Sequence, residues 1–119
     1  MPDATTTVAS LKEAVRRFAD ERDWGRFHSP KNLSMGLAVE AAELMEHFLW
    51  LDSEESRRVV DNAAELAAVG EELADVAAYV LNLSETLGID LSEAIVAKLA
   101  KNAIKYPAEK YRGRYRADD

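Results

Sequence analysis

The chain has 119 residues, no cysteine, and 15 Lys and Arg against 22 Asp and Glu, for a formal net charge of −7. That length suits one domain with one hydrophobic core, and the absence of cysteine excludes disulfides, thiolate-bound zinc, iron–sulfur clusters and thiol nucleophiles. The acidic balance disfavours a nucleic-acid polymer as partner, because phosphate neutralisation needs surplus Lys and Arg.

A 48 % hydrophobic fraction supports a packed globule rather than general disorder. No run approaches the ~18 consecutive apolar residues of a membrane span. The opening Met-Pro-Asp-Ala-Thr-Thr-Thr lacks the basic and apolar regions of a secretory signal. A cytoplasmic protein with no membrane partner is therefore expected.

Glycine and proline are scarce, five and three, and the apolar residues recur at spacings of three and four, which predicts helices. Residues 1–9 read as a flexible N-terminus. The first helix is expected from about Ser10 to Arg22, opened by a capping box of Ser10 with Glu13, with Leu11, Ala14, Val15 and Phe18 on its apolar face. The segment from Asp23 to Pro30 reads as a loop broken by Gly25 and Pro30. A second helix should start at Lys31 or Leu33 and run to Trp50, apolar around most of its circumference. Asp52 or Ser53 can cap a short polar helix reaching about Asp61.

A long third helix is expected from Ala63 to Leu87, with Gly88 placed as a helix-terminating glycine. Asp90 with Glu93 offers a capping box for a fourth, which should end near Tyr106 because Pro107 cannot continue it. Residues 108–119 read as a basic and then acidic tail. The fold class implied is all-α: a four-helix-bundle-like domain over residues 10–107, with a short extra helix between helices two and three.

The excess carboxylate is not evenly spread. Helix two carries Glu40 and Glu43, helix three carries Glu72 and Asp75, and each pair is i, i+3, so its two side chains share a helix face. Gly36 and His47 fall on the stripe of Glu40 and Glu43. Glu65, Ala68, Tyr79 and Asn82 fall on that of Glu72 and Asp75. One reading is the solvated face of two amphipathic helices. Against it, like charges at these spacings destabilise a helix by roughly 0.2–0.5 kcal/mol per pair, and no Lys or Arg stands between the carboxylates of either stripe. The other reading is a site for a hard divalent cation such as Mg²⁺, which takes carboxylate, phosphate and water oxygens. A di-iron bundle is poorly matched, since it needs Glu-x-x-His on two helices and this chain has only His28 and His47.

The fourth helix presents Lys98, Lys101, Asn102 and Lys105 on one polar face, followed by Tyr106. These are either helix-end lysines paired with the macrodipole or a clamp for phosphates. Trp24 and Trp50 read as core or interface tryptophans, or as platforms on which a base stacks. His28 reads as a hydrogen-bonded loop histidine or as a base contact.

The order Glu40-x-x-Glu43, 28 intervening residues, then Glu72-x-x-Asp75 resembles the MazG-like nucleotide pyrophosphohydrolases. The flanks are similar to the dCTP pyrophosphatase branch of that family. They are Glu21-Arg22-Asp23-Trp24, Phe27-His28-Ser29-Pro30-Lys31-Asn32-Leu33, Phe48-Leu49-Trp50, Tyr79, Lys101-Asn102 and Lys105-Tyr106-Pro107. Together they cover about residues 10–112. The resemblance implies an all-α, Mg²⁺-dependent enzyme, with Mn²⁺ as a substitute. It would cut (deoxy)nucleoside triphosphates, dCTP or non-standard dNTPs in house-cleaning, to the monophosphate and pyrophosphate.

It implies Glu40, Glu43, Glu72 and Asp75 as metal ligands and catalytic carboxylates. It further implies Trp24, His28, Trp50, Tyr79, Lys101, Asn102, Lys105 and Tyr106 as substrate contacts, and a homotetramer built as a dimer of dimers. The chain departs from the animal members at Val15, where they carry a His on helix one facing the base. The rival readings are a non-catalytic helical oligomer and a nucleotide-sensing binding protein.

Overall fold

A computed structural model describes residues 1–116. Among these residues there are six α-helices, short 3₁₀ segments and no strand. The helices are α1 (Val8–Glu21), α2 (Pro30–Glu46), α3 (Ser53–Arg57), α4 (Ala63–Thr86), α5 (Leu91–Lys105) and α6 (Ala108–Tyr111). The acidic end of the expected tail, Asp118 and Asp119, lies outside the described residues. The chain divides into two compact units, Met1–Gly88 and a second from Ile89 onward. No described helix is long and apolar enough to cross a membrane.

In the first unit α1 and α2 both pack against α4. The caps explain where each helix starts. The Ser10–Glu13 box expected for α1 does not form. Thr7 is the N-cap, its hydroxyl accepting from the Ser10 N–H at 3.1 Å, so the helix begins at Val8, inside the segment expected to be flexible. Either hydroxyl suits the position chemically, but only Thr7 has the extended backbone that a cap needs.

Ser29 caps α2 by accepting from Asn32 N–H at 3.2 Å, with Pro30 as the first helical residue rather than a breaker ahead of the helix. Proline fits there because its missing N–H has no intrahelical partner in any case. The helix stops at Glu46, short of Trp50, because the N–H groups of His47, Phe48 and Leu49 bond three residues back rather than four, tightening its end into turns.

Of the two caps expected for α3, Asp52 is the one used, and it forms a capping box with Glu55, at 2.8 and 3.2 Å; the chain continues as a 3₁₀ turn over Arg58–Asp61. Asn62 caps α4, and Gly88, at φ +67°, follows its C-terminus as expected. In the second unit Asp90 caps α5 and Pro107 ends it. One further helical turn, α6, forms in the segment read as a basic tail, with Tyr111 edge-on to Tyr106 at 5.2 Å.

The loop between α1 and α2 turns at Asp23 rather than at Gly25. Asp23 takes the left-handed conformation, φ 53°, and a 3₁₀ turn over Trp24–Phe27 follows. Short polar side chains tolerate that region better than most residues. The turn is held by Asn32 Nδ2 donating to the Phe27 carbonyl at 2.9 Å. Trp24 packs edge-on against Phe18 at 5.7 Å, and the Arg22 guanidinium lies over the Phe18 ring, 3.7 Å from its centroid.

The core is small. Among the described residues Ala19, Leu33 and Ser84 are the buried ones, with Leu33 at 1 % exposure. Val39 on α2, Leu73 on α4 and Leu99 on α5 remain 57 %, 55 % and 61 % exposed.

Candidate active site

The antiparallel pairing of α2 with α4 follows from three contacts. Gly36 lies against Tyr79, Glu40 and Glu43 lie beside Glu72, and His28, just before α2, meets Asn82. The i, i+3 spacing read from the sequence thus places carboxylates from two helices face to face. Glu40, Glu43 and Glu72 each offer an oxygen within 4.8 Å of the others. Asp75 is exposed and faces Glu40, contributing to its electrostatic surroundings. Among the described residues none of the four carboxylates is in a salt bridge.

Two oxygens stand out. Glu40 Oε2 and Glu72 Oε2 are both buried without a hydrogen-bond partner. A buried polar atom left unpaired is costly, and a carboxylate oxygen more so. The Glu40 carboxyl responds by holding its proton. Burial first, then its hydrogen bond with Glu43 and the charges of Glu43, Asp75 and Glu72, raise its pKa from 4.5 to about 7. An all-oxygen donor set with orphaned oxygens fits a hard divalent ion, which would satisfy both oxygens and cancel the repulsion.

The sign of the resulting pH dependence is fixed. A carboxyl whose folded pKa lies above its unfolded value contributes stability below the unfolded pKa and loses it as pH rises through the folded one. In EDTA, thermal denaturation should therefore show Tm falling as pH rises from about 5 to 8. The Glu40→Gln variant should flatten that slope. A wild-type Tm that is level across this window would contradict the coupling of these carboxylates.

A cavity of about 250 Å³ opens beside the carboxylates. Val15, Phe18 and Ala19 of α1, Trp24, and Ala78, Tyr79 and Asn82 of α4 line it. His28 also lines it, and Glu40 and Asp75 reach it from the acidic side. Trp24 is 42 % exposed and stands edge-on to His28 at 6.4 Å. Of the candidates named from sequence, the first unit brings Glu40, Glu43, Glu72, Asp75, Trp24, His28 and Tyr79 to one region.

Trp50 lies elsewhere in that unit. It is 90 % exposed and lines a cavity of about 500 Å³ with His47, Glu55 and Arg58. Lys101, Asn102, Lys105 and Tyr106 belong to the second unit, on and just after α5, with the Lys105 ammonium 5.3 Å from the Tyr106 ring. Val15 and Phe18, from the apolar face of the first helix, line the cavity, Val15 being the position where the animal members carry a His facing the base. Asn82 is the cavity residue that sequence reasoning passed over. Its signal was present, since it continues the stripe of Glu72, Asp75 and Tyr79.

Comparison with known proteins identifies the family. The model of the MazG-like family matches residues 36–116, which contain both carboxylate pairs. The dCTP pyrophosphatase 1 of Bos taurus is 36 % identical over 107 residues, covering 90 % of this chain and 63 % of that protein. The Homo sapiens protein of the same name is 37 % identical over 102 residues, covering 86 % and 60 %. The chain therefore spans less than two thirds of the length of these curated relatives. The crystal structure of a pyrophosphatase from Archaeoglobus fulgidus superposes with a TM-score of 0.76 at 37 % identity, covering 90 % of this chain and 98 % of that one. With its helices, its paired carboxylates and two thirds of its length matched by the family model, the chain belongs to the MazG-like family.

Proposed function

We propose that this chain hydrolyses nucleoside triphosphates between the α and β phosphates, releasing the monophosphate and pyrophosphate in a reaction that requires a divalent cation. The observation that carries the reading is the cluster of Glu40, Glu43 and Glu72, with two buried oxygens unpaired, beside an aromatic-walled cavity. The names of the relatives, dCTP pyrophosphatase 1 and a pyrophosphatase, support it. They also support dCTP, or modified and non-standard dNTPs, as the substrates. House-cleaning of the nucleotide pool is the corresponding role. A cytoplasmic location belongs to the same proposal, because that is where such a pool is held.

Glu40, Glu43, Glu72 and Asp75 would hold Mg²⁺, or Mn²⁺ in its place, which when bound supplies Lewis-acid charge to the triphosphate oxygens and activates water. The attacking water forms a bond to the α-phosphorus as the bond from that phosphorus to the α,β-bridging oxygen breaks. Its proton passes to a carboxylate of the cluster or to neighbouring Glu71. Trp24 offers its exposed ring as a platform for the base, braced by Phe18 and Arg22. The assignment of Trp50, Lys101, Asn102, Lys105 and Tyr106 as further substrate contacts rests on the family resemblance. So does assembly as a homotetramer, which the exposed apolar side chains of α2, α4 and α5 support and sedimentation measures directly.

The direct test is a panel of natural and modified nucleoside triphosphates, in Mg²⁺ and in EDTA, with monophosphate and pyrophosphate both quantified. Equimolar release in Mg²⁺ alone is expected. Release of inorganic phosphate, or no turnover with any member of the panel, would overturn the reading. Within that assay Trp24→Ala should raise KM by roughly ten- to a hundredfold, since stacking on an aromatic contributes about 1–3 kcal/mol per base. The effect on kcat should be smaller. An unchanged KM across the panel would remove Trp24 from the binding surface.

A further inference from the structure

The polar contact between His28 and Asn82 joins residues 54 positions apart, one just ahead of α2 and one on α4. Asn82 Nδ2 lies 3.1 Å from His28 Nδ1, and Thr86 Oγ1 donates to Asn82 Oδ1 at 3.4 Å. With the threonine hydroxyl on Oδ1, the amide N–H faces the ring. His28 Nδ1 is then the acceptor, and the ring proton sits on Nε2. Both residues are half-buried, and both line the cavity whose walls are otherwise apolar at Val15, Phe18 and Trp24. Along α4, Asn82 stands seven residues beyond Asp75, about 10 Å at the helical rise. The pair is thus separated from the acidic cluster along the helix that the two share.

We propose that Asn82 determines which base this cavity accepts, by fixing the ring of His28, the base contact that the family resemblance already implies. This rests on the nucleotide reading above and adds to it which groups choose the base. Asn82 holds the imidazole so that Nε2–H is presented as a donor, and its own second amide hydrogen is a further donor at the same edge. An edge built of donors accepts a base that offers adjacent acceptors, as cytosine does with N3 and O2. It opposes one that carries N3–H at that place, as uracil and thymine do. A mismatched donor would leave buried polar groups facing each other unpaired, and that mismatch is the chief source of discrimination in such sites.

The experiment compares kcat and KM for dCTP, dUTP and dTTP in the wild type, Asn82→Leu and Thr86→Val, each in Mg²⁺. Nitrogen-15 spectra of the His28 ring are recorded on the same proteins without substrate. In the wild type, kcat/KM for dCTP should exceed that for dUTP and dTTP by about tenfold or more, the reach of one buried hydrogen bond. Asn82→Leu should bring the ratio close to one, chiefly through KM. The ring should pass from the Nε2–H tautomer to a mixture, with Thr86→Val intermediate in both readouts. A residue that merely supported the fold would lower turnover of all three nucleotides alike. If the wild type turns over no nucleotide, the nucleotide reading fails and this inference with it. If it turns them over and Asn82→Leu keeps both the base ratio and the wild-type tautomer, the inference alone is overturned.

Discussion

Replacing Glu72 with Gln is expected to abolish pyrophosphate release, by on the order of a hundredfold or more, while leaving the metal-free protein as stable as the wild type. The two halves of that expectation come from one geometry. Glu72 contributes a buried oxygen with no hydrogen-bond partner to a group of three carboxylates within 4.8 Å. Without a cation such a group repels itself, so removing one charge relieves strain and should not lower Tm. With a cation, the same oxygen is a ligand. Replacing even the groups that merely orient metal ligands typically costs ten- to a hundredfold, so loss of a ligand should cost at least that much.

A third readout separates this from a folding defect. The rise in Tm on adding Mg²⁺ should be large in the wild type and nearly absent in Glu72→Gln, because a ligand that binds only the folded state stabilises it by mass action. A variant that retained both turnover and the Mg²⁺-dependent shift would show that the acidic stripes are only solvated faces.

Much of this site is legible in the amino-acid sequence, for a simple physical reason. Helical periodicity converts sequence spacing into direction, so two i, i+3 carboxylate pairs on apolar helices already specify two aimed faces. Helix ends are legible where a single residue dictates them. Gly88 in the left-handed region and Pro107 beyond α5 are of that kind. Starts are harder, because several hydroxyls compete. Thr7 rather than Ser10 caps α1, and nothing in the local sequence distinguishes them.

Sequence does not reveal what one helix meets on another. Val15 and Phe18 sit on an apolar stripe that looks like core, yet the loop turning at Asp23 brings Trp24 edge-on to Phe18, and all three line a cavity. Asn82 continues the stripe of Glu72, Asp75 and Tyr79, but its partner His28, 54 residues away, does not show in that periodicity. The small core has the same origin. Periodicity identifies which side chains are apolar, and it does not say whether their cover comes from within the chain. Leu33 is covered by this chain, whereas Val39, further along the same helix, is 57 % exposed.

The most consequential contact invisible to sequence is that of Gly36 with Tyr79, and Gly36→Ala should damage both stability and catalysis. A methyl group built on Gly36 would lie 2.7 Å from Tyr79 Cζ and 3.0 Å from its hydroxyl oxygen, closer than carbon and oxygen tolerate. Glycine is needed here for close approach, since its backbone is ordinary α-helix and no unusual torsion is involved. Four residues on, one turn away, is Glu40, and four residues before Tyr79 is Asp75, so this contact sets the spacing of α2 and α4 directly beside the carboxylates. Overpacking of this kind typically costs about 1–3 kcal/mol, which thermal denaturation should register as a lower Tm. Turnover should fall more than that loss of folded protein explains, because a helix shift of even an ångström spoils an arrangement in which oxygens must converge. Combining Gly36→Ala with Tyr79→Leu should recover most of the stability, since the clash is gone, without recovering activity, since Tyr79 lines the cavity. If Gly36→Ala alone left Tm and turnover unaltered, the α2–α4 spacing would not be what aligns the carboxylates.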